Sequence, residues 1–163
     1  YSRTLSPNWQ MYAAWQSGYK QHNERTFLNG ASHTGSLTLL YRTSPQQYFV
    51  MGIGGGQENA KDLSDAYRKS SLHGGWTRHW GSSRAFATSL NISVQRRNYR
   101  GPDIFNIQRR DTEYFTRLAL SHNRLSWKGL TPRLNWTWSH IHSNHFYYRY
   151  NNHRVFLDVF KQF

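Results

Sequence analysis

Val155-Phe156-Leu157-Asp158-Val159-Phe160-Lys161-Gln162-Phe163 is the stretch whose reading decides the fold. Its side chains alternate in direction, as a strand requires. Val155, Leu157, Val159 and Phe163 fall on one face, with Lys161 as the single polar intruder. Asp158 and Gln162 fall on the other, beside Phe156 and Phe160. Chain ends are ordinarily frayed and polar. A strand that runs into a terminal aromatic therefore reads as one held at the boundary between an apolar and a mixed medium.

Working outward, period-two alternation predicts eight strands. The first, Asn8 to Lys20, carries Trp9, Met11, Ala13, Trp15, Ser17 and Tyr19 on one face. Trp9 and Tyr19 are ten residues apart, ~33 Å along a strand and ~25 Å after a barrel-like tilt, about the height of a barrel's apolar band. The second (Thr34 to Thr43) and third (Gln47 to Gln57) show Leu37, Leu39 and Tyr41, then Phe49, Met51 and Ile53. The third is expected to soften at Gly54-Gly55-Gly56. The fourth, Tyr67 to Trp80, groups Leu72, Gly74, Trp76 and Trp80. The fifth, Arg84 to Arg96, sets Phe86, Leu90, Ile92 and Val94 against Ser89, Asn91, Ser93 and Gln95. The sixth, Gln108 to His122, opposes Tyr114, Thr116, Leu118 and Leu120 to Arg109, Asp111, Glu113 and Arg117. The seventh, Leu130 to His142, opposes Leu134, Trp136 and Trp138 to Arg133, Asn135 and Thr137. The eighth runs from Tyr147 to Phe163.

Connections alternate between short turns at Ser44-Pro45-Gln46, Gly81-Ser82-Ser83 and Asn123 to Gly129 and mostly longer, more polar segments at His22 to His33, Glu58 to Ala66, Arg97 to Ile107 and Ser143 to His145. That rhythm, with its terminal aromatic strand, is the one found in bacterial outer-membrane barrels. The expectation is an all-β, antiparallel up-and-down transmembrane β-barrel domain over residues 1–163, with both chain ends on the short-turn, periplasmic side. Trp9, Tyr19, Trp76, Trp80, Trp136 and Trp138 are expected at the membrane interfaces. Val155, Leu157, Val159 and Phe163 are expected to form the C-terminal insertion signal. A soluble lipocalin-like barrel would turn its apolar face inward. Bulky charges on the polar faces and Trp and Tyr near strand ends favour the membrane.

Composition fits. A mean hydropathy of -0.85 looks too polar for a membrane protein, and no run approaches the ~18 consecutive apolar residues of a transmembrane helix. A barrel escapes that test, because only alternate strand residues touch lipid. Seven Trp, eleven Tyr and nine Phe supply interfacial side chains. Lys and Arg number 21 against 8 Asp and Glu, for a formal charge of +13, which suits an anionic partner. The absence of Cys excludes disulfides and thiolate sites. The chain opens at Tyr1 without an initiator Met or signal sequence, as expected of a mature form or of a piece of something longer.

Arg109-Arg110-Asp111-Thr112-Glu113-Tyr114, Gly129-Leu130-Thr131-Pro132-Arg133-Leu134, Ser143-Asn144, Tyr147-Tyr148-Arg149-Tyr150 and the final Phe163 follow one another in an order that resembles the barrel of the surface lipoprotein assembly modulators (Slam, the domain of unknown function 560 family). The resemblance implies a barrel of about fourteen strands behind a periplasmic tetratricopeptide region. It also implies a part in moving lipoproteins across the outer membrane to the cell surface. This chain has room for about eight strands, so the expectation is the C-terminal part of that barrel. The implied partners are outer-membrane lipid and lipopolysaccharide, the barrel-assembly machinery and a lipoprotein substrate. The alternative is a small autonomous outer-membrane barrel, either a lipid A-modifying enzyme or a passive structural or pore protein.

Arg109, Asp111, Glu113, Arg117 and Arg133 are expected on the lumen face. They could be a structural ion-pair network or a polar lining that guides a passing polypeptide. His140, His142, His145 and His153 lack companion ligands and read as rim histidines. Ser-His neighbours such as Ser121-His122 point to opposite faces, so no catalytic residue, metal or cofactor is assigned. Gly52 to Gly56 lacks the Lys-Ser/Thr and helix of a phosphate loop. Arg96-Arg97, Arg100 and Arg109-Arg110 flank Tyr99 and Phe105. Their expected contact is lipopolysaccharide, substrate or solvent rather than nucleic acid.

Overall fold

The computed structural model describes residues 1–81 and 85–161. Residues 82–84 and the terminal Gln162 and Phe163 lie outside that range, so most of the short turn expected at Gly81-Ser82-Ser83, the Arg84 start of the fifth expected strand and the aromatic end of the insertion signal do too. Among the described residues nine strands form one antiparallel sheet in chain order. They are β1 Ser2–Ser6, β2 Trp9–Lys20, β3 Gly30–Ser44, β4 Gln47–Glu58, β5 Tyr67–Trp80, β6 Phe86–Pro102, β7 Gln108–His122, β8 Leu130–Ser143 and β9 Tyr150–Lys161. Among the described residues, β1 and β9 are the two edges and each pairs with one neighbour.

The count of eight is corrected to nine by β1. Ser-Arg-Thr-Leu-Ser shows no apolar alternation and is held through its backbone, with Ser2 opposite Tyr12, Arg3 opposite Met11 and Thr4 opposite Gln10. The Tyr1 amino group donates to the Ala13 carbonyl at 2.9 Å, and the Ala13 N–H donates back to the Tyr1 carbonyl at 2.8 Å. Tyr1 therefore lies half-way along β2 and not at the short-turn rim. Other boundaries move as well. β4 runs unbroken through Gly54-Gly55-Gly56, paired on both sides. β6 continues through Arg97 and Asn98, which face Asp111 and Arg110, so the loop expected from Arg97 shrinks to residues 103–107. Phe146–Tyr148 forms a 3-10 turn ahead of β9.

Register sorts the residues into two faces. One row crosses eight strands as Trp9, Tyr41, Phe49, Trp76, Leu90, Leu118, Trp136 and Val155. The parallel rows hold Met11, Leu39, Met51 and Ile92, and Ala13, Leu37, Ile53, Leu72, Val94 and Tyr114. This apolar face is the exposed one: Trp15 is 74% and Leu157 68% accessible. On the opposite face Asn135 is fully buried, and Asp111, Thr131, Ser143 and Ala119 are nearly so. The sheet is thus inside-out relative to a water-soluble barrel, with polar groups in the concavity and apolar groups outside. A lipocalin-like interior is excluded by that arrangement.

The apolar band also slips across the sheet. The register row from Ala13 in β2 leads to Asn151 in β9. The centre of the apolar run in β9 is Leu157, six residues further along. Seven strand-to-strand steps therefore accumulate a stagger of about one residue each, as strands tilted in a barrel wall require. Connections β2–β3, β4–β5, β6–β7 and β8–β9 gather on one rim; the tight turns at residues 7–8 and 45–46 and the segment 123–129 gather on the other.

Candidate functional site: the charged inner face

Strand alternation places Arg109, Asp111, Glu113 and Arg117 of β7 and Arg133 of β8 on the inner face together. They do not form one network. They divide into three groups along the strands, each completed by a residue from a neighbouring element.

The group nearest the short-turn rim turns on Asp158 of β9. Arg133 donates to it twice, Nε to Oδ1 at 2.9 Å and Nη2 to Oδ2 at 2.8 Å. This side-on fork is the geometry in which guanidinium recognition of a carboxylate is strongest. Arg117 reaches the same carboxylate at 3.5 Å, and its main partner is the buried Asn135, whose Oδ1 accepts from Nε at 3.0 Å and Nη2 at 2.7 Å. The Asn135 amide donates in turn to the Arg133 carbonyl at 3.1 Å. Asn135 is thereby satisfied although no water reaches it. The middle group is a cross-strand pair, Arg97 Nη2 to Glu113 Oε2 at 2.9 Å. It borders a polar cavity of about 260 Å³ lined by Ser93, Gln95, Arg97, Glu113 and Phe115.

The third group lies towards the longer loops. The Arg109 guanidinium is held between the rings of Tyr99 and Tyr148, 3.7 and 3.8 Å from their centroids, with Asp111 Oδ2 at 3.2 Å from Nε. Two cation–π contacts at a desolvated guanidinium are worth ~1–2 kcal/mol each. Beside it, His145 is almost wholly buried, and its Nε2 lies 2.8 Å from Asp103 Oδ2, tying the 103–107 loop to the β8–β9 connection. Burial opposes ionisation of Asp103. The N–H groups of Ile107 and Phe105 and the facing His145 outweigh it and hold the carboxyl below its ordinary range. Asn144 clasps β7, its Oδ1 accepting from the Arg110 N–H at 2.8 Å and its amide donating to the Gln108 carbonyl at 2.9 Å.

The central inner-face rows of β3 to β5 hold small groups, Ser36, Thr38, Gly52, Gly54, Ser71 and Gly75, beside Leu40, Val50 and His73. The His73 ring rests on Gly52, where a Cβ would meet it at 2.4 Å. The run from Gly52 to Gly56 therefore serves close approach within a strand and not a phosphate loop. The inner face thus mixes ion pairs, Lys20–Glu58 among them, with small polar groups, an arrangement suited to lining a hydrated space.

The six expected interfacial aromatics all lie on the outer face by register, as do Val155, Leu157 and Val159. Trp9 stacks on Tyr41 at 4.5 Å and Trp76 meets Trp80 edge-on at 6.4 Å. His140, His142 and His153 also face outward, His140 flat against Trp138 at 6.0 Å, while His145 is buried apart from them. Among the described residues no three His, Cys, Asp or Glu side chains group as a metal site. Sequence alternation puts Asn135 on the polar face but does not mark it, Tyr99 or Ser143 as members of these groups. An Asn inside an otherwise aromatic and apolar strand, as at Leu134-Asn135-Trp136, was the available signal, because Asn is depleted from strands unless it has a partner.

The family described as surface lipoprotein assembly modifier matches residues 1–163. The chain is similar to surface lipoprotein assembly modifier 1 of Haemophilus influenzae strain KW20/Rd, 32% identical over 99% of this chain and 33% of the relative. It is similar to the surface lipoprotein assembly modifier of Haemophilus influenzae strain 86-028NP, 34% identical over 98% of this chain and 32% of the relative. A third is surface lipoprotein assembly modifier 1 of Neisseria meningitidis serogroup B, 28% identical over 100% of this chain and 34% of the relative. The chain spans about a third of the length of these relatives. No solved structure matches it.

Proposed function

This chain belongs to the surface lipoprotein assembly modifier family, and from that premise we propose that it forms part of an outer-membrane β-barrel that helps deliver lipoproteins to the cell surface without catalysing a reaction. The observation that carries this reading is the inversion of polarity. Apolar side chains such as Trp15, Leu157 and Val155 are the exposed ones, and Asn135, Asp111, Thr131 and Ser143 are the buried ones. Water would oppose that distribution; hydrocarbon outside and a hydrated lumen inside favour it. An open sheet edge is costly in hydrocarbon, where no water satisfies the backbone. The outer edges of β1 and β9 are therefore completed by further strands of a larger barrel.

In this reading the longer loops face outward from the cell and the tight turns face the periplasm. The Arg117–Asn135–Arg133–Asp158 group and the Arg97–Glu113 pair fix the wall on the β6–β9 side. The small residues of β3 to β5 leave the space along which an unfolded polypeptide passes, so the charges both brace the wall and present alternating polarity to the cargo. Val155, Leu157, Val159 and Phe163 supply the C-terminal signal read by the barrel-assembly machinery. Anionic lipopolysaccharide meets the basic surface at the long-loop rim. The test is removal of the full-length gene, followed by protease shaving and surface labelling of its lipoproteins. Lipoproteins synthesised at normal levels and absent from the surface are expected; unchanged surface display refutes the function.

A further inference from the structure

The outer face carries an arrangement that gives the contact with lipopolysaccharide at the long-loop rim a defined site. Above the apolar band on the long-loop side, three adjacent strands each carry an outward arginine. In β5 Arg68 follows Leu72 by four residues towards the rim, in β6 Arg96 follows Val94 by two, and in β7 Arg110 follows Tyr114 by four. Arg96 stands opposite Ser70 and Thr112, and Arg68, Asn98 and Arg110 form the next row. Arg68 and Arg110 are thus the diagonal neighbours of Arg96, at the separation of about 7–8 Å or somewhat less that long side chains readily span.

Three guanidinium groups so placed repel one another unless an anion joins them. None is supplied by the described residues. The strand carboxylates Glu58, Asp111, Glu113 and Asp158 all lie on the inner face by register. The side chains of Arg68, Arg96 and Arg110 are exposed and make no hydrogen bond or ion pair to a described residue. Ser70, Thr112 and Asn98 set neutral donors among them.

Directly below lies an almost wholly apolar cavity of about 420 Å³, bordered by Met51, Leu72, Ile92, Val94, Tyr114 and Trp138. Gly74 makes the hollow. A Cβ there would meet Ile92 Cγ1 at 3.6 Å, an ordinary contact, so a side chain could occupy the space that the glycine leaves open. An anion-binding cluster over an apolar groove on one continuous surface matches an amphiphile in both halves.

We infer that Arg68, Arg96 and Arg110, with the groove at Gly74, form a binding site for a phosphorylated, multiply acylated lipid of the outer leaflet, of the lipid A kind. Phosphate oxygens bridge the three guanidiniums, which suit them through planar, bidentate donation. An acyl chain lies in the groove between Leu72 and Trp138. The inference rests on the membrane reading given above, since it requires this face to be in contact with lipid.

The test uses the intact protein in a zwitterionic detergent. Native mass spectrometry reads retention of bisphosphorylated lipid A against its dephosphorylated form and phosphatidylcholine, with inorganic phosphate as competitor. Heat-modifiable gel mobility verifies folding. Selective retention of the bisphosphorylated lipid is expected. Arg96→Gln should lower it about tenfold or more, the scale of one charge-assisted contact, and the triple Arg68→Gln, Arg96→Gln, Arg110→Gln variant should abolish it. Gly74→Val should lower lipid retention several-fold. Should the triple variant not fold, the wild type still decides: retention must fall steeply as salt rises. Equal retention of neutral lipid, unchanged retention in Arg96→Gln, salt independence, or displacement by inorganic phosphate together with an indifferent Gly74→Val each overturn the lipid site. Because surface display of lipoproteins is read separately, failure here is distinguishable from failure of the translocation reading.

Discussion

Asp158 is the residue whose removal separates the inner-face groups most sharply. It receives two short, parallel hydrogen bonds from Arg133 and one long contact from Arg117, at 3.5 Å. Arg117 keeps Asn135 as an independent acceptor at 2.7 Å; Arg133 has no comparable substitute for the bonds it loses. The side chains of the Arg133–Asp158 pair are about one-third exposed (33% and 31%). The pair therefore lies between a solvent-screened surface contact worth ~0–1 kcal/mol and a buried one whose disruption costs ~3–5 kcal/mol. Asp158→Ala is expected to cost about 2–3 kcal/mol, since it leaves two arginines facing each other without a counter-charge. A double-mutant cycle should then give a coupling of about 1–2 kcal/mol for Arg133 with Asp158, and less than about 0.5 kcal/mol for Arg117 with Asp158. The assay is guanidinium unfolding of the protein in phospholipid vesicles, followed by tryptophan fluorescence. Equal couplings for the two arginines, or none for Arg133, would refute the assignment of Asp158 as the shared pivot.

Three further outcomes are open to measurement. Gly52→Ala is expected to destabilise by ~1–3 kcal/mol, since its Cβ would fall 2.4 Å from the His73 ring and 2.8 Å from the Leu37 carbonyl; adding His73→Ala should restore part of the loss in the same unfolding assay. Asp103 has a depressed carboxyl pKa, so its contribution is complete above the ordinary Asp range of ~4 and lost as pH falls through the lower folded value. Amide exchange at Phe105 and Ile107 should therefore accelerate below that range, beyond the intrinsic effect of pH, and Asp103→Asn should remove the acid step. Deleting Phe163 should slow insertion, measured as heat-modifiable barrel formed per minute with purified assembly machinery; an unchanged rate removes the role given to the terminal aromatic.

Most of the wall was legible because period-two alternation is strong wherever one face meets an apolar medium. Leu90-Asn91-Ile92-Ser93-Val94 and Leu134-Asn135-Trp136-Thr137-Trp138 could be assigned to faces residue by residue, and register confirms those faces. β1 was not legible: Ser2 to Ser6 is held by backbone pairing with β2, which leaves no mark on side-chain pattern. Gly54 to Gly56 suggested a softened end, yet backbone pairing on both sides overrides the weak strand preference of glycine. The charges of β7 could be placed on one face, but their grouping could not. Arg97, Asn135, Tyr148 and Asp158 come from other strands or connections and become partners only through register and loop closure. The outward arginines shared that difficulty, because Arg68, Arg96 and Arg110 are distant in sequence and meet only across β5, β6 and β7.

The claim on which the rest depends, that hydrocarbon surrounds the apolar face, is testable in a chain that contains no cysteine. Single cysteines at Ile92, Leu118 and Leu157, and at Asn91, Ala119 and Phe156 on the opposite face, can each carry a nitroxide in the vesicle-inserted protein. Spin relaxation by oxygen, which concentrates in lipid, is expected to dominate at the first three. Relaxation by a water-soluble nickel chelate, relative to oxygen, should rise at the second three. Greater nickel accessibility at Ile92, Leu118 and Leu157 than at their inner-face neighbours would contradict the membrane barrel directly.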